Sequence, residues 1–535
     1  MSLQIPQDRP WLGHYPSSIN LDFEIPEKNL YSLLDSAAKK YPEHTAIIFE
    51  NEKISYLQLR NMVDRLAGAW KQLGAAKGER LGLMVSNHPL YVVSYYASLK
   101  LGLMIVQINP HYTVRELLEI FNDATVTYLV TEPECLEKVS QVQDYSFKEI
   151  FITANGAGYP GLPELIERSV PLAQNCPIEA RRDIAVIQYT GGTTGKKKGA
   201  MLTHYNLIAN VIQSKALYGE RMLTGAETIL TATPLYHVYG MTSGMNLSIY
   251  IGAANLLVNK FEVEKVLKQI ETYRPTLFPG VPKMYHAFAH YPDIESYDLT
   301  CFKMCTSGSA PLPIEIMKKF ERLTGVTVGE GYGLSETSPT THRNPPDGVS
   351  KIGSIGIPLR QTDCRIVDDN GEDVPERAVG ELLLKGPQVM LGYWNKPEET
   401  QNALRDGWFY TGDLATMDEE GYFYIVGRKK EMILVGGFNV YPQEVEGVLY
   451  EHPAVLEAAV VGIPDKEIGE TVTAYIVPKP GIAIDFDDLR EHCYRHLTRY
   501  KVPKQFEVRD TLPRNSVGKL LKRILVEEAT NKTKA

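Results

Sequence analysis

Between Ser55 and Thr131 the chain alternates two hydrophobic rhythms, and that alternation leaves few architectures open to it. Leu59, Met62, Val63, Leu66, Trp70 and Leu73 recur at helical spacing behind Ser55, a natural N-cap. Leu81 to Val85 and Met104 to Ile108 are apolar runs of strand length, with helix-compatible Pro89 to Leu101 between them. Thr113 followed by Glu116 forms a capping-box pattern that opens a helix from Val114 to Asn122, and Val126 to Thr131 is a third strand. Strand, helix and strand joined this closely predict an α/β fold, with a mainly parallel sheet covered by helices.

The texture changes after about Gly353. Cys364 to Val367, the turn Asp369-Asn370-Gly371, Glu381 to Lys385 and Gly421 to Val426 predict a small β-rich antiparallel unit. Gly427-Arg428-Lys429-Lys430 is a short charged joint. Beyond it, helices at Tyr441 to Tyr450 and Phe486 to Leu497, and strands at Ala458 to Val461 and Thr473 to Val477, predict a compact α+β unit. The expected organisation is a large N-terminal domain, 1–428, carrying the β-rich subdomain at about 353–428, then a small domain, 429–535.

Charge narrows the function. Lys and Arg number 56 against 65 Asp and Glu, a net −9, which argues against nucleic acid as the main partner. Six Cys in 535 residues suggest free thiols and a reducing compartment, and Met1 to Asn29 shows no apolar h-region. Cytoplasmic residence is the expectation. Thr228 to Asn259 contains no charged residue, yet Pro234, His237, Asn246 and three glycines interrupt it. A membrane span tolerates few such breaks, so a buried strand and helix walling an apolar pocket is expected there.

The densest chemical signal is Tyr189-Thr190-Gly191-Gly192-Thr193-Thr194-Gly195-Lys196-Lys197-Lys198-Gly199, behind the strand-like Ala185 to Gln188. Its glycines free backbone N–H groups to approach an anion, and its hydroxyls and ammonium groups add donors, a combination that suits a polyphosphate. It lacks the Gly-Lys-Ser/Thr ending of a Walker A loop. Gly156-Ala157-Gly158-Tyr159-Pro160-Gly161 fits G-x-G-x-x-G, but Pro160 offers no N–H, and a surface loop is expected. Gly331-Tyr332-Gly333-Leu334-Ser335-Glu336 sets an aromatic face, a hydroxyl and a carboxylate on a tight turn, suited to a base and to Mg²⁺ beside phosphates. Asp413, in Tyr410-Thr411-Gly412-Asp413, can accept two ribose hydroxyls, with Arg428 as a further donor. His492, Cys493 and His496 have zinc-like spacing but no fourth ligand, and Cys301 and Cys305 sit in apolar context; helix surface and core are expected for them.

Together, Tyr189 to Gly199, Tyr332 to Glu336, Tyr410 to Asp413, Gly427-Arg428 and Gly518-Lys519 stand in the order and spacing of the adenylate-forming superfamily, which the chain resembles over nearly its whole length. That group includes acyl-CoA synthetases, adenylation domains and firefly-type luciferases. Trp11 to Pro16, Asn109 to Thr113, Gly191-Gly192 and Gly199 to His204 make it most similar to the bacterial long-chain fatty-acid–CoA ligases. It departs from many members at Gly191, where Ser is frequent, at Lys197, where Pro is frequent, and at Ser335, where Thr is frequent.

The resemblance implies two half-reactions. A carboxylic acid and ATP give an acyl-adenylate and pyrophosphate, and CoA then displaces AMP. It implies that Thr190, Gly191, Gly192, Thr193, Thr194, Gly195 and Lys198 cradle the β- and γ-phosphates, and that Gly308, Ser309, Ala310, Gly331, Tyr332 and Gly333 enclose adenine. Ser335 would touch the α-phosphate, Glu336 would hold Mg²⁺, and Asp413 and Arg428 would bind ribose. Lys519 would stabilise the charge built up in adenylation, and His237 would sit at the mouth of the acyl pocket. The C-terminal domain would be a mobile lid turning about Lys430, bringing Gly436-Gly437-Phe438 to the pantetheine. An amino-acid substrate would need a counter-ion in Thr228 to Asn259, and none exists, so a medium- to long-chain fatty acid is expected. Aryl acids of coumarate type, loading onto a carrier protein and a non-catalytic nucleotide sensor stay open as alternatives; Glu336 and Lys519 together argue against the last. Peripheral contact with the inner face of the membrane and an oligomer are both compatible with so greasy a substrate.

Overall fold

A computed structural model describes residues 9–16, 23–156, 158–190, 197–465, 467–514 and 520–534. Within them the chain forms two compact units, one of residues 1–363, 384–409 and 420–422, the other of 364–383, 410–419 and 423–535.

The first unit carries two large sheets. In one, Ile184–Thr190, Met104–Gln107, Arg80–Met84, Tyr128–Thr131 and Glu149–Ile152 run parallel, and Lys198–Thr203 and Gly392–Tyr393 add antiparallel strands at one edge. The other has nine strands. Thr45–Phe49, Ala254–Leu257, Thr228–Thr231, Leu277–Gly280, Met304–Ser307 and Val328–Gly333 are parallel, with antiparallel strands at both ends. The expected parallel sheet is therefore present twice. Its helices are locally encoded. Ser55 caps Tyr56–Gln72 and Thr113 caps Val114–Ala124, each through a complete capping box. Leu117, Ile120 and Phe121 pack from the second helix onto Val106 and Leu129 of the sheet. Phe278, Tyr285, Phe288 and Phe320 fill the core against the nine-stranded sheet.

The uncharged stretch is a strand, Thr228–Thr231, a π-helical turn, Gly240–Asn246, an α-helix, Leu247–Ile251, and a strand, Ala254–Leu257. No helix among the described residues is long and apolar enough to cross a membrane. The π-helix, which periodicity alone does not announce, has a packing cause: Cβ atoms on Gly240 and Gly244 would stand 2.3 Å from Pro234 O and 2.7 Å from Thr231 Cγ2. Only glycine lets the turn lie this close to Thr231 of the preceding strand and to Pro234 beyond it.

Asp363–Val367, Gly380–Lys385, Trp408–Met417 and Phe423–Arg428, most of whose residues belong to the second unit, supply the small β-rich sheet. The turn at Asp369-Asn370-Gly371 is an Asx turn: Asp368 Oδ1 accepts from Asn370 N at 2.9 Å and Glu372 N at 3.0 Å. A further sheet pairs Val455–Asp465 with Gly469–Pro478 and packs against Pro442–Tyr450 and Phe486–His496. Cys493 and Cys305 are buried in apolar cores, and among the described residues no group of three or more His, Cys, Asp or Glu can hold a metal ion.

Candidate nucleotide and acyl site

The phosphate-loop candidate sits at a hairpin tip. Ile184–Thr190 and Lys198–Thr203 are antiparallel, and Thr190 pairs with Lys198 at the last register position. Gly191, Gly192, Thr193, Thr194 and Gly195 lie outside the described residues. Lys198 does not. Its Nζ lies 5.0 Å from the ring centroid of Tyr393, whose hydroxyl donates to Glu336 Oε1 at 2.8 Å. Burial, reinforced by the adjacent Glu336 charge, pushes the Tyr393 hydroxyl well above its usual range, so it stays a donor at neutral pH. The structure thus gathers Lys198 and Glu336 around Tyr393, a residue the sequence reading missed. The only signal for it was an aromatic pair, Tyr393-Trp394, after Gly392 in an otherwise unremarked segment.

Glu336 rides on a single 3₁₀ turn, Ser335–Thr337. Thr337 Oγ1 accepts from Leu334 N at 3.0 Å, and Met390 N donates to the Glu336 carbonyl at 2.8 Å. The carboxylate is therefore placed by both its side-chain and main-chain bonds. A lone carboxylate held this way suits Mg²⁺, which takes one or two protein carboxylates and completes its shell with phosphate oxygens and water.

Tyr332 lies on Val328–Gly333, opposite His342 of Thr340–Arg343, with ring centroids 6.0 Å apart. Of its glycine neighbours Gly333 is sterically required, and Gly331 is tightly enclosed. A Cβ on Gly333 would lie 2.1 Å from Pro339 O, and one on Gly331 3.1 Å from His342 O. Gly308, Ser309 and Ala310 follow Met304–Ser307, the strand parallel to that of Tyr332, so the two adenine candidates leave neighbouring strand ends. Ser309 has a left-handed φ of 73°. Glu330, to which the sequence reading gave no role, joins this loop to the strand: its carboxylate accepts from Leu312 N at 3.0 Å, and burial raises its pKa.

His237 is half-buried, and its Nδ1 accepts from Tyr239 N at 3.3 Å. Two buried residues of unsuspected importance fix its segment. Asn87 donates to Val258 O at 2.9 Å and Thr233 O at 3.1 Å, and accepts from Leu235 N at 2.8 Å. Tyr91 OH lies 2.7 Å from Leu235 O and 2.6 Å from Gln107 Oε1. Gln188, at the end of the phosphate-loop strand, donates to Tyr236 O at 3.3 Å. The uncharged wall and the hairpin are thus directly bonded. A surface groove of about 400 Å³ lined by Tyr297, Asp298, Lys319 and Arg322 contains none of these residues.

In the second unit, Asp413 and Arg428 are register partners on adjacent antiparallel strands, with Arg428 Nε 3.3 Å from Asp413 Oδ1. Asp413 is buried, and its N–H donates to Thr411 Oγ1 at 3.0 Å. The next residue, Lys429, reaches Asp369 at 2.8 Å and Glu381 at 3.1 Å, and Lys430 is exposed beside it. Gly436 and Gly437 turn between Ile433–Val435 and Phe438–Val440 with φ of 57° and 86°. Phe438 beyond them is exposed and stacks on Tyr500 at 4.8 Å. Lys519 lies outside the described residues. Its flanks are pinned: Arg514 bridges Leu520, Leu521 N donates to Pro513 O at 2.8 Å, and Lys522 Nζ meets Glu446 at 2.7 Å.

Comparison with known proteins finds relatives over nearly the whole chain. The family described as AMP-binding enzyme matches residues 34–394, and the AMP-binding enzyme C-terminal domain matches 444–519. A protein of Bacillus subtilis (strain 168) named long-chain-fatty-acid–CoA ligase is 42% identical, covering 98% of each chain. One of the same name from Salmonella typhimurium (strain LT2) is 37% identical, also at 98% of each. The crystal structure of ATP-bound MatB from Rhodopseudomonas palustris superposes with a TM-score of 0.87 at 31% identity, covering 94% of this chain and 99% of that one. With the family models matching 34–394 and 444–519 and curated relatives aligned over nearly the whole length, the chain belongs to the AMP-binding enzyme family.

Proposed function

We propose that this protein is an ATP-dependent ligase that joins a medium- to long-chain fatty acid to CoA through an acyl-adenylate, releasing AMP and pyrophosphate. The observation that carries the acyl half is the wall from Thr228 to Asn259, which has no charge and is held by neutral buried groups, Asn87, Tyr91 and Tyr96. Tyr96 donates to Asn246 at 2.8 Å. Such a wall offers nothing to an ammonium or a second carboxylate, whereas each methylene buried there contributes about 0.8 kcal/mol. The full-length likeness to curated fatty-acid–CoA ligases supports the same substrate class.

A carboxylate is a poor electrophile, because its charge repels a nucleophile and oxide is a poor leaving group. Attack by its oxygen on the α-phosphorus of ATP expels pyrophosphate and leaves an acyl-phosphate anhydride, in which the acyl group no longer carries the carboxylate charge and the phosphate keeps one negative charge. The CoA sulfur then attacks the acyl carbon, and AMP leaves. Thr190 and Lys198, with the loop between them, hold the outer phosphates, and Ser335 meets the α-phosphate. Glu336 holds Mg²⁺, which supplies charge neutralisation for the phosphates when bound. Gly308, Ser309, Ala310 and Tyr332 enclose adenine, and Asp413 with Arg428 binds the ribose hydroxyls. His237 stands where the acyl chain enters. Lys519 bridges carboxylate and α-phosphate oxygens during the first half-reaction, and Lys430 is the joint about which 429–535 reorients for the second, with Gly437 facing the pantetheine. The apolar substrate favours peripheral contact with the inner face of the cytoplasmic membrane, which vesicle co-sedimentation tests.

The deciding experiment is a panel of acids assayed by pyrophosphate release with CoA present. Turnover is expected across C8 to C18 fatty acids. Activity on aryl acids alone, or thioester formation only on a carrier protein, would replace the fatty-acid reading.

A further inference from the structure

Both legs of the hairpin that carries residues 191–196 are tied to one helix, Val114–Ala124. On the outgoing leg, the Tyr189 hydroxyl donates to Asp123 Oδ2 at 2.5 Å. On the returning leg, Lys197 Nζ forms an ion pair with Glu116 Oε1 at 2.9 Å and lies 3.4 Å from the ring centroid of Tyr112. Glu116 and Asp123 are seven residues apart, two turns and about 10 Å along the axis, so one helix face meets both legs.

Each anchor is itself fixed. Glu116 Oε2 accepts from Thr113 N at 2.9 Å, and Glu116 N donates to Thr113 Oγ1 at 3.4 Å. One oxygen of this carboxylate thus completes the helix cap while the other meets Lys197. At the far end, Lys396 Nζ lies 3.3 Å from Asp123 Oδ1. The Asp123 carbonyl accepts from Trp394 Nε1 and Asn395 Nδ2, each at 2.9 Å, and Trp394 N donates to Gly199 O at 2.8 Å. The returning leg is therefore held on the helix at two heights.

Lys197 is an uncommon group to find there. Only 13% of its side chain is exposed, and burial lowers its pKa against the opposing pull of Glu116. Its ammonium is engaged by a carboxylate and an aromatic face, so it is not offered to a phosphate as Lys198 is. Lysine also lacks the fixed φ that a proline at this position would impose.

We propose that Lys197 is a positioning residue for the nucleotide step. With Glu116 and Tyr112 beneath it, and Tyr189–Asp123 at the other leg, it seats the stems of the phosphate loop on the Val114–Ala124 helix and so fixes where the loop meets ATP. This rests on the reading of that loop as the phosphate cradle.

The test uses full-length Lys197→Met, Lys197→Arg, Glu116→Gln and the double variant K197M/E116Q, beside Thr193→Ala in the loop itself. Three quantities are measured: KM for ATP in pyrophosphate release, KM for the fatty acid, and thioester formation from supplied acyl-AMP and CoA. A stem displaced by about 1 Å costs up to roughly a hundredfold in a positioned reaction, so K197M is expected to raise KM for ATP about tenfold. KM for the acid and the second half-reaction should stay within about twofold of the parent, K197R should recover most of the loss, and the double variant should be no worse than K197M alone, as for two ends of one contact. If T193A impairs ATP use and K197M does not, the brace is refuted and the loop reading survives. If T193A leaves ATP use unchanged, the loop reading fails and takes the brace with it. Equal loss in both half-reactions with a lowered Tm would make Lys197 a stability residue only, and would also overturn the proposal.

Discussion

Gly333→Ala subjects the adenine side of the site to the most direct steric test. The added methyl carbon would lie 2.1 Å from Pro339 O, 2.7 Å from Pro339 C and 3.0 Å from Thr340 Cα. All three are backbone atoms, so no side-chain rotation relieves the clash. Gly333 pairs with Thr340, and Tyr332 with His342. Restoring a normal contact therefore requires the two strands to part by about 1 Å at the position next to Tyr332, an overpacking cost of about 1–3 kcal/mol. Because a displacement of that size in a positioned site costs up to roughly a hundredfold, KM for ATP is expected to rise between about 10- and 100-fold. Both half-reactions should suffer, since ATP and acyl-AMP share the adenine contact. The assay is pyrophosphate release against an ATP titration, with thioester formation from supplied acyl-AMP in parallel. Gly447→Ala is the control: it lies in Pro442–Tyr450, an added Cβ meets nothing within 4 Å, and the change should leave ATP use alone while stabilising the helix by roughly 0.5–1 kcal/mol. A G333A enzyme with KM for ATP within twofold of the parent would refute the placement of adenine beside Tyr332.

Three further outcomes are expected. Glu336→Gln keeps an acceptor for Tyr393 but removes the charge, so adenylation should fall by about 3 kcal/mol, roughly a hundredfold, at saturating Mg²⁺; activity within tenfold of the parent in a Mg²⁺ titration would remove Glu336 from the metal site. Burial holds the His204 imidazole down to about 4 and His342 to about 3, so both stay neutral in the folded unit while the unfolded chain takes up protons below pH 6.5. The unfolded state then binds more protons, and stability falls as pH drops from about 6.5 toward 4, by up to roughly 1.4 kcal/mol per pH unit for each imidazole. Urea midpoints of the parent and of His342→Gln should converge between pH 7 and pH 5, and parallel decline would contradict it. Lys522→Met leaves Glu446 without its partner at 2.7 Å and should destabilise the C-terminal segment by about 3 kcal/mol, read as faster hydrogen exchange in Pro442–Tyr450; exchange like that of the parent would show the pair to be idle.

The amino-acid sequence by itself determined the local elements and the inventory of the chemistry. Ser55 as an N-cap and Thr113 with Glu116 as a capping box announce helix starts because capping involves only residues a few positions apart; both helices start as expected, and the structure adds Gln58 as the second half of a box at Ser55. The absence of charge from Thr228 to Asn259 is likewise a property of the string, and so is the crowding of glycine and threonine between Tyr189 and Gly199. What the string lacks is the identity of partners far along the chain. Thr203 with Asn206 completes a third capping box with Asn in place of the usual Glu or Gln, the π-turn at Gly240–Asn246 makes a close approach to Pro234 and Thr231, and Tyr393 reaches Glu336 from a strand that no local pattern connects to it. Lys197 reads as one of three consecutive lysines until the fold lays it on Tyr112 and Glu116. Local rhythm and capping depend on neighbours within a few residues, and so are written in the sequence. Which buried donor meets which acceptor depends on sheet register and helix packing, and only the assembled tertiary structure decides it.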